Sequence, residues 1–227
     1  MTDKKQKTII PNVEYDKNKT YLIAEAIDLI KKLSKTKFDS SVEVHFRLGI
    51  DNKKGEQQIR ATVALPYGTG KTIKIAAFVT QEREEETKKA GADYVGGDEL
   101  IAEIKKTEKT DFQVAIAEPS LMKKLAIIAK ILGTRGLMPS PKNDTVTNNP
   151  VKTVEELKKG KVSFKNDDTS NIHVAIGKVS FDKQQLVENF QTLLQAIKKA
   201  KPTSSKGTYI KNISISSSMG PGIKIQL

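Results

Sequence analysis

The chain of 227 residues carries a formal net charge of +12 and contains no Cys and no Trp. This length suffices for two modest domains with hydrophobic cores. The lack of Cys excludes disulfides and thiolate metal sites, and His45 and His173 have no carboxylates at ligand spacing, so we predict no metal and no cofactor. A polar N-terminus, Met1–Thr8, and the absence of any run of about eighteen apolar residues predict a soluble, cytoplasmic protein.

The positive charge is unevenly distributed along the chain. Residues 1–66 hold 13 Lys or Arg against 9 Asp or Glu, residues 67–157 hold 14 of each class, and residues 158–227 hold 12 against 4. We therefore predict one basic domain built from residues 1–66 and 158–227, with residues 67–157 inserted as a neutral domain. Basic domains of this kind most often bind phosphate backbones. The alternative is that the Lys-rich faces are simply solvated.

The two ends show the patterns of an α+β domain. Thr20 can cap a helix that runs to about Lys35, and Asp182 can cap another to about Ala200. Ser41–Leu48 alternates strictly between polar and apolar residues, which predicts a half-buried strand. Further strands are predicted at Gln58–Leu65, Lys161–Asn166, Asn171–Ile176, Thr208–Ser217 and Gly222–Ile225. These elements predict an antiparallel sheet with helices on one face.

The segment between Gly70 and Pro150 instead alternates strand and helix. Its predicted strands are Ile73–Val79, Tyr94–Val95 and Phe112–Ala117, and its predicted helices are Gln81–Ala90, Asp98–Lys106 and Pro119–Leu132, the last ended by Gly133. This rhythm predicts a small parallel α/β domain. Pro66–Gly70 and Pro150–Gly160 would form a two-stranded hinge, so we expect relative motion of the two domains.

Three enzyme-like patterns do not meet the requirements of their chemistry. Gly70-Lys71-Thr72 looks like the end of a phosphate-binding loop, but that loop needs Gly where this chain has Leu65. Gly91 and Gly96-Gly97 lack the spacing of the dinucleotide fingerprint. Neither histidine has a Ser or Cys nucleophile context with an orienting partner. We predict no catalysis; the alternative hypothesis is an enzyme whose central domain acts on a phosphorylated ligand.

The low aromatic content, 5% of residues, bears on the kind of nucleic acid. Sheets that stack unpaired bases carry exposed Phe or Tyr, whereas the polar strand faces here carry Ser, His, Lys and Arg. Recognition of structured RNA by shape, through phosphates and 2′-hydroxyls, is therefore favoured. A general DNA-compacting protein is a weaker alternative, because no helix carries base-reading residues.

Two turns of the basic domain suit this mode of binding. The helix-to-strand corner Lys37–Glu43 contains Phe38, which either plugs the core, as its chemistry alone favours, or packs on a sugar. In the turn Ser216–Pro221, hydroxyls accompany Met219 and Gly220, which offer a pliable apolar contact and close backbone approach. This second turn is difficult to explain as core.

A long loop, Ile131–Thr147, follows the last predicted helix of the centre. Its glycines permit positive φ, its prolines fix φ, and its cations lie on a rigid turn. The residues concerned are Gly133, Gly136, Pro139, Pro141, Arg135 and Lys142. A loop specified in this way usually contacts a partner, and the alternative is a stiff connector.

This loop resembles, almost residue for residue, the signature loop of the L-one family of large-subunit ribosomal proteins, which build the mobile side stalk. Four further segments, Gln58–Val63, Gly91–Gly97, Asn171–His173 and Ser218–Pro221, resemble the bacterial form of that family. The resemblance extends from about Tyr21 to the C-terminus. It implies a basic α+β domain formed by both termini, an inserted Rossmann-like three-layer α/β domain, and binding to ribosomal RNA of the stalk.

The resemblance also implies which residues contact RNA. They are Glu25, Lys37, Phe38, Ser41, Glu43, Arg60, Ser218, Met219 and Gly220, with Lys165 and His173 as weaker candidates. The chain departs from the family pattern at Ser41 and Ser218, usually Thr, and at Ala61, usually Gly. Asp168 replaces a usual Lys or similar polar residue and Tyr67 a usual His, so we assign neither a contact with RNA.

The family's function implies further partners for this chain. A stalk that swings with the ribosome would help to release deacylated tRNA from the exit site. The same RNA-binding surface would repress the protein's own messenger through a site that mimics the ribosomal one. We therefore expect ribosomal RNA, the protein's own messenger RNA and exit-site tRNA as partners, and a monomer when the protein is free.

Overall fold

The computed structural model describes Asp16 and residues 19–226, so the polar N-terminus Met1–Thr8 lies outside the described residues. The strands are β1 Thr20–Tyr21, β2 Ser41–Leu48, β3 Arg60–Ala64, β4 Ile75–Phe78, β5 Tyr94–Gly96, β6 Val114–Ala117, β7 Lys161–Lys165, β8 Asn171–Lys178, β9 Ile210–Ser217 and β10 Ile223–Ile225. The α-helices are α1 Ile23–Leu33, α2 Gln81–Lys89, α3 Asp98–Thr107, α4 Met122–Leu125, α5 Ala129–Thr134, α6 Pro150–Lys158 and α7 Lys183–Lys199. Short 3-10 helices lie at Gly55–Gln57, Pro119–Leu121, Ala126–Ile128 and Pro141–Asn143.

A five-stranded sheet in the order β1-β10-β9-β2-β8 is built from both ends of the chain. Its pairings are antiparallel except for the parallel pairing of β1 with β10. Val42, Val44 and Phe46 are fully buried in one cluster with α1 and α7, and the Phe46 ring stacks on Phe190 of α7 at 6.3 Å between centroids. The strand predicted at Ser41–Leu48 is confirmed, and its polar residues lie on the opposite, more exposed face.

The start of α1 differs from the prediction. Thr20 does not cap the helix but lies in β1, where Tyr21 accepts a 2.9 Å hydrogen bond from the amide of Gln226. Pairing with a distant strand therefore replaces a local cap that the sequence permits. Asp182, in contrast, is the N-cap of α7 as predicted, and its amide donates to Gln185 Oε1 at 3.1 Å.

Strands β3 and β7 form a separate antiparallel pair rather than extending the larger sheet. Ile59, Val63 and Phe164 pack this pair on the same hydrophobic cluster as the five-stranded sheet. The predicted single sheet is therefore two sheets that share a core.

The central segment contains a parallel sheet in the order β5-β4-β6. Alternate residues of β4 enter different clusters: Ala76 and Phe78 pack with α3 and the helices of residues 119–134, while Ile75 and Ala77 pack with α6. Helices therefore cover both faces of this sheet, which explains why its strands are apolar throughout.

The helix predicted at Pro119–Leu132 is broken into alternating 3-10 and α segments, and it runs on through Gly133 to Thr134. Leu121, Leu125, Ile128 and Leu132 are nevertheless buried in one cluster. The helical spacing of apolar residues therefore identified the buried side but not the breaks.

The segment predicted as the second hinge strand, Pro150–Gly160, is mostly the helix α6. Pro150 occupies its first turn and Val154 and Leu157 are buried against the parallel sheet, so apolar packing stabilises a helix there. The chain passes between the ends and the centre only at Pro66–Gly70 and Lys159–Gly160. Within the described residues, no helix is long and apolar enough to cross a membrane.

Candidate nucleic-acid interface

Two turns from opposite ends of the chain lie side by side at one end of the five-stranded sheet. Val42 of β2 lies opposite Ser217 of β9, so the corner Lys37–Glu43 adjoins the turn Ser216–Pro221. The Ser218 amide donates to the Ser41 carbonyl oxygen at 2.9 Å. Strand pairing thus joins the two predicted RNA-contacting segments into one surface, which we call the corner-turn surface.

Phe38 lies on the outside of the corner-turn surface, with 58% of the residue exposed. The corner is held by polar groups: Thr36 Oγ1 donates to the Phe38 carbonyl at 2.9 Å, and the buried Ser40 has its Oγ 2.9 Å from Ser34 Oγ. The favoured interpretation of Phe38 as a core residue is therefore wrong. Because Thr36 and Ser40 hold the backbone, the ring stays available for contact.

Met219 is the most exposed large apolar residue among those described, at 92%. It adopts a left-handed backbone conformation with φ of +63°, which is uncommon for a residue with a side chain. The Gly220 amide closes the turn by donating to the Ser217 carbonyl at 2.8 Å, and a Cβ at Gly220 would lie 2.2 Å from Ser217 Oγ. The turn thus leaves room for a side chain at position 220 only if Ser217 Oγ moves, and it presents Met219 to solvent.

Three charged candidates lie on the elements that carry this surface. Lys37 is exposed beside Phe38, and Glu43 lies on the outward face of β2 opposite Ser216. Glu25 is exposed in the first turn of α1, which packs against β10. A carboxylate on such a surface can accept hydrogen bonds from ribose hydroxyls and base amino groups.

A second group of candidates lies beside the long loop of the centre. Arg60 and Lys165 are exposed and directly opposite each other in the β3-β7 pair. Together with His173 they line a groove of about 570 Å³, whose other side includes Gly133 and Gly136. The loop thus faces three predicted RNA-contacting side chains, a proximity that sequence reasoning did not anticipate.

The loop itself is held by hydrogen bonds on both sides. Arg135 Nη2 donates to the Glu108 carbonyl at 3.1 Å, and Gly136, at φ of +69°, donates its amide to Gly133 at 3.0 Å. Pro139 is buried and Pro141 begins a 3-10 helix.

Asp144 follows the 3-10 helix Pro141–Asn143 and connects the loop to β3 and β7. Asp144 Oδ2 accepts from Thr62 Oγ1 at 2.9 Å and lies 3.1 Å from Lys161 Nζ. The hydrogen bond from Lys161 lowers the pKa of the Asp144 carboxyl.

The sites where an α/β enzyme would bind a phosphorylated ligand are arranged differently here. Gly70-Lys71-Thr72 leads into β4 rather than from a strand into a helix, so it lacks the helix N-terminus of a phosphate loop. At the carboxyl end of β6, the buried Glu118 accepts from the Thr80 amide at 3.3 Å and from Arg83 Nη1 at 3.2 Å. An ion pair within the protein therefore fills the usual ligand position. Among the described residues, no three His, Asp or Glu side chains cluster as metal ligands.

These features define a mixed α/β protein with basic ends and an exposed, polar sheet face of the kind that contacts nucleic-acid backbones. The chain belongs to the Ribosomal protein L1p/L10e family, whose model matches residues 30–221. It is similar to the protein named large ribosomal subunit protein uL1 from Thermosipho africanus, with 49% identity over 92% of this chain and 90% of the relative. The protein of the same name from Mesoplasma florum is 51% identical over 93% of each chain. That from Chloroflexus aggregans is 50% identical over 93% of this chain and 90% of the relative.

Family membership confirms the resemblance inferred from the sequence motifs. The relatives are ribosomal proteins rather than enzymes, which also confirms the prediction of a non-catalytic protein.

Proposed function

We propose that the chain is a structural constituent of the large ribosomal subunit that binds ribosomal RNA of the mobile side stalk. Relatives of about 50% identity bear the name of a large-subunit protein, and the basic ends of the chain supply the charge that such binding needs. On this account the protein works at the ribosome.

We assign the binding to a basic domain of residues 1–66 and 158–227 that carries an inserted domain of residues 67–157. The buried residues of one hydrophobic cluster all lie within 26–65 and 164–225, while those of the other two all lie within 75–157. Hydrophobic cores that share no residues support two domains that can move relative to each other.

The exposure of Phe38 and Met219 on the corner-turn surface is the observation that carries the proposal. Two large apolar side chains kept outside a polar sheet face suit packing on sugars and base edges. The hydroxyls of Ser41 and Ser218 can meet 2′-hydroxyl groups, while Lys37 and Arg60 neutralise phosphates. Glu25, Glu43, Gly220, Lys165 and His173 complete the proposed contacts.

A titration against a stalk-derived ribosomal RNA fragment and an unrelated RNA hairpin, at low and at physiological salt, tests this assignment. The proposal expects binding to the stalk fragment to persist at physiological salt while binding to the hairpin falls away. Equal and equally salt-sensitive binding to both RNAs would mean that the charge attracts RNA without a specific site. Equal affinity for duplex DNA would favour a DNA-compacting protein instead.

We further propose that the protein helps to release deacylated tRNA from the exit site and represses translation of its own messenger. A stalk protein with two movable units can follow a leaving tRNA, and one RNA surface can bind either the ribosomal site or a messenger that mimics it. Ribosomes lacking the protein should release tRNA more slowly, and added protein should inhibit translation of its own messenger but not that of an unrelated one. An unchanged rate of tRNA release would contradict the first role, and unchanged translation of its own messenger would contradict the second.

A further inference from the structure

Two histidines contact each other on the outward face of the five-stranded sheet, beside its β8 edge. His45 of β2 and His173 of β8 are directly opposite in the ladder, and their Nδ1 atoms lie 2.8 Å apart. His45 Nε2 lies 3.0 Å from Ser216 Oγ, and His173 Nε2 lies 3.5 Å from Asp167 Oδ2. A continuous polar chain therefore runs from the Ser216 turn through both rings to Asp167.

The short distance between the two Nδ1 atoms limits how many protons the pair can hold. At 2.8 Å one nitrogen must donate and the other must accept, so the contact fits a neutral or a singly protonated pair. A second proton would place two N–H groups and two positive charges against each other and separate the rings. In the free protein, burial and the neighbouring His173 lower the pKa of His45, while Glu43 acts in the opposite direction.

Three cations and two carboxylates surround the pair, so the net positive charge favours an anionic ligand above it. Glu43 and Arg47 flank His45 on β2, Asp167 follows β7, and Arg60 and Lys165 line the groove beside His173. The β9 residues opposite β2 here are uncharged, namely Asn212, Ser214 and Ser216. The loop residues across the groove are also uncharged, namely Gly133, Gly136, Met138, Ser140 and Asn143. Arg47, Arg60 and Lys165 thus supply positive charge on two sides of the rings.

The pair also lies between the two groups of proposed RNA contacts. His45 lies four positions along β2 from Ser41 of the corner-turn surface, about 13 Å along a strand. His173 lines the groove with Arg60 and Lys165. A phosphate backbone that reaches both groups would pass over the two rings, and His173 is 52% exposed there.

We propose that His45 and His173 together form a phosphate-contacting subsite that takes up one proton when RNA binds. This inference rests on the proposed RNA-binding function and adds His45 to its contacts. A phosphate above the rings favours the protonated pair, so protons move onto the protein as the complex forms and affinity rises as pH falls. For one linked proton, affinity changes by at most about tenfold per pH unit.

The test is the affinity for the stalk RNA fragment at several pH values between 6 and 8, at constant ionic strength. We expect wild-type affinity to rise several-fold as pH falls, and the double variant His45→Asn with His173→Asn to show a flat profile. Lys37→Ala is the matched control, since it removes a proposed phosphate contact in the corner-turn surface rather than beside the rings; it should weaken binding to a similar extent at every pH and keep the wild-type slope. Calorimetry of the wild-type complex in buffers of different ionisation heat should show uptake of up to one proton, independently of any variant.

Tight wild-type binding with a flat pH profile and no proton uptake would overturn this subsite and leave the proposed function standing. A wild-type slope retained in the folded double variant would also overturn it. No binding to the stalk fragment at any pH would contradict the proposed function itself, and this inference with it.

Discussion

Gly68 and Gly160 are in backbone contact where the chain passes between its ends and its centre. A Cβ at Gly160 would lie 2.4 Å from the Gly68 Cα, and both glycines have positive φ, +63° and +106°. The buried Asn189 anchors this crossing, since its side-chain Nδ2 donates to the Gly68 carbonyl at 3.0 Å and its Oδ1 accepts from the Tyr67 backbone amide at 3.2 Å. The two connecting segments therefore touch through their backbones, and Asn189 of α7 holds Tyr67 and Gly68 against the basic ends.

Gly160→Ala should destabilise the protein, because the added methyl group meets the Gly68 backbone and Ala does not favour a φ of +106°. We expect a loss of roughly 1–3 kcal/mol in the free energy of unfolding, measured by urea denaturation. Gly55→Ala is the control, since a Cβ there meets no atom within 4 Å, and its stability should stay near wild type. Equal stability of the two variants would contradict a close backbone contact between Gly68 and Gly160.

Glu118→Ala should also destabilise the protein. Glu118 is 6% exposed and accepts from the partly buried Thr80 amide and, in an ion pair, from Arg83, so its removal takes an acceptor from both donors. We expect a loss of about 2 kcal/mol in urea denaturation. Lys124→Ala removes the exposed ion pair with Asp98 and should change stability by less than about 0.5 kcal/mol. Similar losses of stability in both variants would contradict the expectation that the buried Glu118 contributes more than the exposed ion pair of Lys124.

Asp167 should contribute to stability in a defined acidic range. Burial alone would raise its pKa, but hydrogen bonds from the Asn171 and Thr169 amides and side chains lower the pKa to about 2. A carboxyl with a lowered pKa stabilises the fold above its unfolded value and loses that contribution as pH falls from about 4 to 2. The side chain is 37% exposed, so solvent screening reduces the expected contribution to about 1 kcal/mol.

Unfolding curves of wild type and Asp167→Asn between pH 5 and 2 measure this contribution. The wild type should lose more stability than the variant over the lower part of that range. Asp168→Asn, at an exposed neighbouring position, should follow the wild-type curve. Parallel curves for wild type and Asp167→Asn would exclude the hydrogen-bonded carboxylate as a source of acid sensitivity.

The fold was predictable where the local sequence pattern and the packing of the folded chain favour the same element. The alternation in Ser41–Leu48 and the Asp182 cap of α7 were both read correctly, because one face of each element meets the same core. The helix cap at Thr20 and the hinge segment Pro150–Gly160 were predicted wrongly, since their structures depend on partners far along the chain, β10 for Thr20 and the parallel sheet for α6.

The candidate surface was predictable in its segments but not in its assembly. The corner Lys37–Glu43 and the turn Ser216–Pro221 were selected from their chemistry, whereas their contact depends on the register of β2 with β9. For Phe38, chemistry alone favoured the core, because a large aromatic side chain usually lies there, whereas the family resemblance placed it among the RNA contacts; the structure exposes it. His45 was considered as a metal ligand and a catalytic residue but not as an RNA contact, because only strand register places it opposite His173.

The central claim is that the corner-turn surface binds stalk RNA, and the affinity of Met219→Asp for a stalk RNA fragment tests it most directly. Met219 is 92% exposed at a φ of +63° that Asp adopts more readily than Met, so the variant should fold normally. Its carboxylate would repel phosphates at the proposed contact. Ile127→Asp is the matched control, because it adds the same charge at a residue that is 62% exposed outside the surface.

We predict that Met219→Asp weakens binding by more than about tenfold, or about 1.4 kcal/mol, while Ile127→Asp stays within about twofold of wild type. Equal affinities for the two variants, with the folds intact, would contradict the assignment of the RNA site.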